Sequence, residues 1–245
     1  MLLWIIVFSI LGSAGAVAGA ALFLFFPERI RKGLVPCLIS YATGTLLGAA
    51  FLGMIPAGLK QAPAITVTAT VLAGMVLFFV LEKLVLWRHC HDSECEAHGR
   101  AAPLILIGDA FHNFVDGVVI AAAFITSIPL GISTALAVIA HEVPQEVGDF
   151  AILLDSGYSR AKALVLNGLS SITTLPGALI AYFWLAETRE AVPYILAISA
   201  ASFIYIATAD LIPALHRQVT LAVSLRQLVL LLAGIGTIAF FHFGG

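Results

Sequence analysis

Eight stretches of this chain, at roughly 2–26, 34–58, 64–87, 103–126, 128–154, 161–186, 191–215 and 222–243, each hold about 20 or more mostly apolar residues. A helix of that length crosses the hydrocarbon of a bilayer. In hydrocarbon a chain must satisfy its own backbone hydrogen bonds, which continuous helices do. The sequence therefore predicts an all-α polytopic membrane protein of eight transmembrane helices, forming a single transmembrane domain over 1–245. Composition agrees, with 61% hydrophobic and 11% charged residues and a mean hydropathy of +1.06. Soluble domains average about 45–50% apolar and about 25% charged residues. The first stretch has no positive leading region and is longer than a signal-peptide core, so it reads as a retained helix.

The net charge of -2 says nothing about nucleic acid, but there is no basic stripe to bind it, so no nucleic-acid partner is expected. What Lys and Arg do establish is orientation. With the N-terminus outside, the inner ends carry Arg29, Arg31, Lys32, Lys83, Arg88, Arg100, Arg160, Lys162, Arg217 and Arg226, and the outer ends carry Lys60 and Arg189. That asymmetry follows the positive-inside rule and favours an even number of helices with both termini outside. The 3 cysteines make no disulfide framework. Cys37 opens the second helix as a small apolar filler, and Cys90 and Cys95 fall on the inner side, where thiols stay reduced.

Those two cysteines lie in the one long connection, a cytoplasmic His/Cys/acid-rich loop over 88–102 between helices three and four. It holds His89, His91, His98, Asp92, Glu94 and Glu96 besides the thiols. It reads either as a solvated polar loop or as a metal-handling one, and its spacing matches no rigid Cys/His zinc fold. Glycines Gly12, Gly15, Gly19, Gly44 and Gly48 are spaced for close helix packing in lipid.

Polar residues inside the spans point to function. An ionisable group at the bilayer centre costs about 2.5–3.5 kcal/mol on insertion scales, so it is rare and usually functional. The fourth helix carries Asp109, His112, Asn113 and Asp116, and the fifth carries His141, Glu142, Gln145, Glu146 and Asp149, with no Lys or Arg in either span to balance them. A bound cation would balance them directly. His112 and Asp116 share a helix face, as do His141 and Gln145, with Glu142, Glu146 and Asp149 on an adjacent one. The convergent set is His112, Asn113, Asp116, His141, Glu142, Gln145 and Glu146. It is too large for one four-coordinate ion and fits two adjacent metal positions better. Asp109 either extends the His112 face or makes a helix–helix hydrogen bond. Asn167 and Asp210 are lone polar residues that either contact the metal path or do not. Ser170, Ser171, Thr173 and Thr174 are expected to bond their own helix. Imidazole with carboxylate suits zinc, iron, nickel or manganese rather than a soft metal. Pro144 removes a helix hydrogen bond and frees the Ala140 carbonyl within this array.

The string His112-Asn113-Phe114-Val115-Asp116-Gly117 resembles the His-Asn-x-x-Asp-Gly motif of the ZIP family of divalent metal transporters. His141-Glu142-Val143-Pro144-Gln145-Glu146-Val147-Gly148-Asp149 is similar to that family's His-Glu-x-Pro-His-Glu-x-Gly-Asp motif. The likeness continues through Phe150–Leu154, Ser159–Leu164 and Asp210-Leu211-Ile212-Pro213. It implies a prokaryotic member of the family, multi-pass in the cell inner (plasma) membrane. The cargo it implies is a divalent cation, zinc first, with cadmium, iron and manganese also possible, and no cofactor in the enzymatic sense. Transport would run toward the cytoplasm through a binuclear centre between helices four and five. His112, Asp116 and His141 would serve the first metal and Asn113 and Glu142 the second or bridging position. The resemblance also implies a homodimeric scaffold, against which helices one, four, five and six shift like an elevator.

Three positions depart from the family pattern. Gln145 stands where a second His is usual, Ala49 and Gly53 stand where relatives often have an acid and a His, and Asn167 stands where some have a carboxylate. Other readings remain possible from the residues. One is an intramembrane zinc metalloprotease, since His141-Glu142 begins a His-Glu-x-x-His helix. Others are a proton- or sodium-coupled carrier of an organic solute, whose acids relay protons, and a membrane metal sensor or store. None of the transport readings makes the chain an enzyme.

Overall fold

The computed structural model describes residues 1–89, 97–217 and 220–243, and every regular element among them is helical. We label the helices in chain order: α1 (Leu2–Phe23), α2 (Glu28–Leu59), α3 (Ala64–His89), α4 (Ala97–Thr126), α5 (Ile128–Asp155), α6 (Arg160–Glu187), α7 (Arg189–Leu215) and α8 (Leu221–Phe243). Seven of them are long and apolar enough to cross a membrane. The exception is α5. Its 28 residues reach about 42 Å at 1.5 Å per residue, so length is not what disqualifies it. Its second half holds His141, Glu142, Gln145, Glu146 and Asp149, which lower its hydropathy.

α5 sits inside the bundle, packed against α1, α2, α4 and α8. α3 and α8 lie at the periphery and present large apolar side chains outward, among them Leu72 and Val76 on α3 and Val229 and Phe240 on α8. The central core runs through Ile5, Leu46, Met54, Ile120, Phe124 and Phe203.

Two glycine contacts set the spacing of the helices around the site. A Cβ on Gly117 of α4 would run into the Thr174 carbonyl of α6, and one on Gly177 of α6 would run into the Phe114 carbonyl of α4. Only reciprocal glycines let these two backbones come so close. α2 and α8 use Gly44 and Gly234 in the same way, as the sequence predicts for Gly44.

Helix ends follow local chemistry. Ser127 caps α5, its hydroxyl accepting from Leu130 N at 3.3 Å, with Pro129 in the first turn where no N–H is missed. The other end of α5 closes at Gly157, whose φ of 85° only glycine adopts freely. There Tyr158 N donates to Leu153 O at 3.1 Å and Gly157 N to Leu154 O at 2.9 Å, the two bonds of a Schellman turn. α2 widens into π-helical turns over Ala49–Met54 and α7 over Ile206–Leu211, each followed two residues later by a proline, Pro56 and Pro213. A proline gives no N–H to the turn before it, and a π-bulge is one way a helix absorbs that loss.

Some boundaries differ from the sequence reading. α2 starts at Glu28, not near 34, with Pro27 preceding it and an exposed Glu28–Lys32 pair at 2.6 Å on its first turns. α4 is helical from Ala97, so the second part of the expected 88–102 loop is helix. Cys90, His91, Asp92, Glu94, Cys95 and Glu96 of that loop lie outside the described residues.

Candidate metal centre between α4 and α5

α4 and α5 are antiparallel neighbours joined through the cap at Ser127, and each turns its polar stripe toward the other. One ligand atom each from His112, Asp116, His141 and Glu142 lies within 4.8 Å of the other three. Five of the separations are resolved. His112 Nε2 stands 3.2 Å from His141 Nε2, 3.3 Å from Glu142 Oε1 and 3.7 Å from Asp116 Oδ2. His141 Nε2 stands 3.1 Å from Asp116 Oδ2 and 3.5 Å from Glu142 Oε1. Four ligand atoms set tetrahedrally at about 2.0–2.1 Å from a zinc ion would stand about 3.3–3.4 Å apart. The measured edges bracket that value.

The protonation pattern points the same way. His141 Nδ1 lies 2.9 Å from the Ala137 carbonyl, a bond that holds the proton on Nδ1 and turns the Nε2 lone pair into the cluster. That lone pair faces another imidazole nitrogen and two carboxylates, all of them electron-rich. A cation at the centre would be within reach of all four ligand atoms. His141 also rests edge-on against the Phe203 ring of α7, with centroids 5.8 Å apart, which fixes the imidazole plane from the opposite side.

A second group adjoins the first and shares Glu142. One oxygen each from Asp109, Glu142 and Glu146 lies within 4.8 Å of the others. All three residues are buried. Glu142 Oε1 and Oε2, Glu146 Oε1 and Oε2, Asp116 Oδ1 and Oδ2, and Asp109 Oδ2 have no hydrogen-bond donor. Buried carboxylate oxygens without donors cost several kcal/mol each unless an ion or a proton neutralises them. Oxygen-only ligation of this kind suits a harder or more weakly held cation than the His-bearing group does.

Asn113 and Gln145 sit at the edge of this second group. Asn113 Nδ2 donates to Asp109 Oδ1 at 3.0 Å, and its own Oδ1 accepts from Thr174 Oγ1 on α6, also at 3.0 Å. Gln145 Nε2 donates to the same Asp109 Oδ1 at 3.0 Å. Two amides thus hold one oxygen of Asp109 and leave Oδ2 free. In this arrangement Asn113 and Gln145 hold Asp109, which lies beside Glu142 and Glu146.

The sequence marked Asp109 as an extension of the His112 face or a helix–helix partner. The structure shows the helix–helix hydrogen bond, from Gln145 of α5, and places Asp109 with Glu142 and Glu146 rather than in the His112 group. The available signal was its spacing, three before His112 and four before Asn113. Asn167 of α6 closes the far side: its Nδ2 donates to the Glu146 carbonyl at 3.1 Å, while its Oδ1 is buried without a donor. Thr173 and Thr174 bond within α6 and also reach α4, Thr173 at the Ala110 carbonyl and Thr174 at Asn113. Ser170 bonds within its own helix. Asp149, one turn beyond Glu146, is half-buried, and Asp210 on α7 is exposed. Neither belongs to the two ligand groups. Ala49 and Gly53 on α2 are buried and bring no ligand. His112 is the most exposed member of the first group, its side chain 20% exposed where those of the others are closed off.

Comparison with known proteins identifies the family. The profile of the ZIP Zinc transporter family matches residues 87–242, which include every residue of both ligand groups. The chain is 33% identical over 224 residues to zinc transporter ZIP13 of Pongo abelii, covering 83% of this chain and 66% of that protein. It is 43% identical over 112 residues to zinc transporter ZIP4 of Homo sapiens, covering 46% of this chain but only 17% of that protein. Zinc transporter zipt-7.2 of Caenorhabditis elegans is 39% identical over 139 residues, 55% of this chain and 30% of that protein. These relatives are eukaryotic, and the chain spans under two thirds of the length of each. On a match covering more than half of its residues, together with its helices and buried ligand groups, this chain belongs to the ZIP zinc transporter family.

Proposed function

We infer that the chain carries a divalent transition-metal cation, zinc before cadmium, iron or manganese, through two adjacent positions between α4 and α5. The observation that carries the reading is the shared carboxylate. Glu142 belongs to both ligand groups, and its two oxygens are buried without a donor. One Glu142 oxygen can serve each position, so an ion can pass between them without either group being left bare. His112, Asp116, His141 and Glu142 would hold the first ion. Asp109, Glu142 and Glu146 would hold the second, with Asn113 and Gln145 steadying Asp109.

The same reading makes α5 an eighth spanning helix despite its low hydropathy, because its ligand face is turned into the bundle and away from lipid. With eight spans and the Lys/Arg asymmetry, both termini lie outside, and the resemblance to the family adds transport inward across a plasma or inner membrane. A homodimer completes the reading. The metalloprotease alternative is not favoured. Its second zinc His is replaced by Gln145, whose amide is committed to Asp109.

Purified protein in proteoliposomes tests the reading through zinc uptake, with competition by cadmium, iron and manganese. Saturable zinc uptake that competing divalent cations inhibit is the expected result. Zinc binding without flux would reduce the protein to a sensor or store and overturn the proposal.

A further inference from the structure

A basic cavity and an apolar groove meet at the end of the bundle where α1 turns into α2 and α5 turns into α6. The cavity measures about 300 Å³ and is lined by Arg31 and Arg160 together with Phe25, Phe150 and Leu154. Arg31 Nε is buried with no hydrogen-bond partner. The nearest acid on its own helix, Glu28, is engaged with Lys32 at 2.6 Å. Arg29, Lys32 and Lys162 add positive charge to the same end of the molecule.

The cavity continues into a second one of about 280 Å³, running between α1 and α6, and Ala21 and Leu164 line both. Along this groove lie Val17, Ala18 and Ser13 of α1 and Gly168 and Ile172 of α6. Ser13 donates its hydroxyl to the Ser9 carbonyl at 2.9 Å, so even the one polar side chain here leaves the wall apolar. From Ala21 to Ser13, and from Leu164 to Ile172, the groove runs about 12 Å along each helix axis, at 1.5 Å per residue, away from the arginines.

We propose that this is a binding site for one anionic phospholipid, its phosphodiester held by Arg31 and Arg160 and one acyl chain laid in the α1–α6 groove. Guanidinium groups recognise phosphate oxygens in pairs. Basic pockets between membrane helices on the positive side are where acidic headgroups collect. The groove selects a lipid over a free phosphate. It offers nothing polar to an inorganic ion, and it runs from the arginines along the helix axes as an acyl chain runs from its headgroup. The site touches α1, α2, α5 and α6, so an occupying lipid would tie the N-terminal turn of α2 to the helices that flank the metal centre.

Native mass spectrometry of the full chain in detergent tests this. The chain is titrated with phosphatidylglycerol, with phosphatidylcholine of the same acyl chains, and with inorganic phosphate. Phosphatidylglycerol is expected to bind at least about tenfold more tightly than phosphatidylcholine, and the R31Q/R160Q variant to abolish that preference. Gly168→Leu is the second variant. A Cβ there meets no atom within 4 Å, so leucine enters the groove without displacing a helix, and both arginines remain. It is expected to weaken phosphatidylglycerol binding about tenfold while helical circular dichroism is unchanged. Equal binding of the two lipids overturns the proposal. So does a phosphatidylglycerol preference that survives R31Q/R160Q, or tight binding of inorganic phosphate that Gly168→Leu leaves untouched. If R31Q/R160Q fails to fold, the Gly168→Leu result decides alone. None of these outcomes bears on zinc flux, which tests a different part of the molecule.

Discussion

The two ligand groups share Glu142, yet they are built differently. The first has two imidazoles and two carboxylates with edges of 3.1–3.7 Å, close to what a tetrahedral zinc ion imposes. The second has carboxylates alone, and its ligand Asp109 is held by two amides from Asn113 and Gln145. Imidazole nitrogen adds affinity and selectivity for borderline metals, while carboxylate oxygen binds many divalent ions less discriminately. On the function proposed above, the difference would divide the labour along one path, with the His-bearing position choosing the ion and the carboxylate position passing it on.

Losing the shared carboxylate should have the largest effect. Glu142→Ala is expected to bring zinc uptake to background and to remove both bound metals in equilibrium dialysis, and retention of two metals would break the idea of a shared ligand. Next come His112→Ala and Asp116→Ala. Each should cut uptake by roughly 100-fold or more, beyond the 10–100-fold typical of lost outer-shell partners, with the protein still inserted. One metal should remain bound, and normal uptake in either variant would take the first group out of the mechanism.

Glu146→Gln should cost less, about tenfold in uptake on the scale of a weakened ligand shell, and should leave the first metal in place. Loss of the first metal as well would show that the groups are not separable. The smallest change is expected for Gln145→His, which removes one of two amides from Asp109 and offers an imidazole in its place. Total uptake should move by less than about tenfold, below the range for lost outer-shell partners, while the ranking of zinc, cadmium, manganese and iron shifts. An identical ranking would mean that position 145 touches neither the metal nor its ligands in the working protein.

A further contrast lies between the interior seams and the periphery. α4 and α6 approach through Gly117 and Gly177, which set the distance at which Thr174 reaches Asn113. Forcing a side chain between them, as in Gly117→Val, should cost about 1–3 kcal/mol or more, the range for overpacking. The lower thermal midpoint should come with weakened binding at the second metal position. Substitutions on the outward faces of α3 or α8, such as Val76→Leu, should leave both unchanged.

Much of this was legible in the chain itself. Hydrophobic length gave the helices, because a span must be long and apolar whatever it packs against. α5 shows where that rule weakens, since its ligand residues reduce its hydropathy while its position inside the bundle hides them from lipid. The members of the first group were legible as candidates, since all four stand in the seven-residue convergent set, but spacing paired His141 with Gln145 and did not divide that set into two groups. Helical spacing alone did not separate Asp109 from Asn113 in the second group. Both lie on the polar stripe of α4, and which one turns toward Glu142 depends on how α4 rolls against its neighbours.

Periodicity and composition, being properties of neighbours along the chain, determined by themselves the helical class and the polar stripes of α4 and α5 that carry the candidate ligands. The tertiary structure decided the rest: Asp109 in the second group, Asn113 and Gln145 as its supports, Asn167 closing the far side, and a basic cavity opening onto an apolar groove. The physical reason is that these depend on rotation and distance between helices. Reciprocal glycines and cross-helix hydrogen bonds set those quantities, and they join residues dozens of positions apart, such as Asn113 and Thr174.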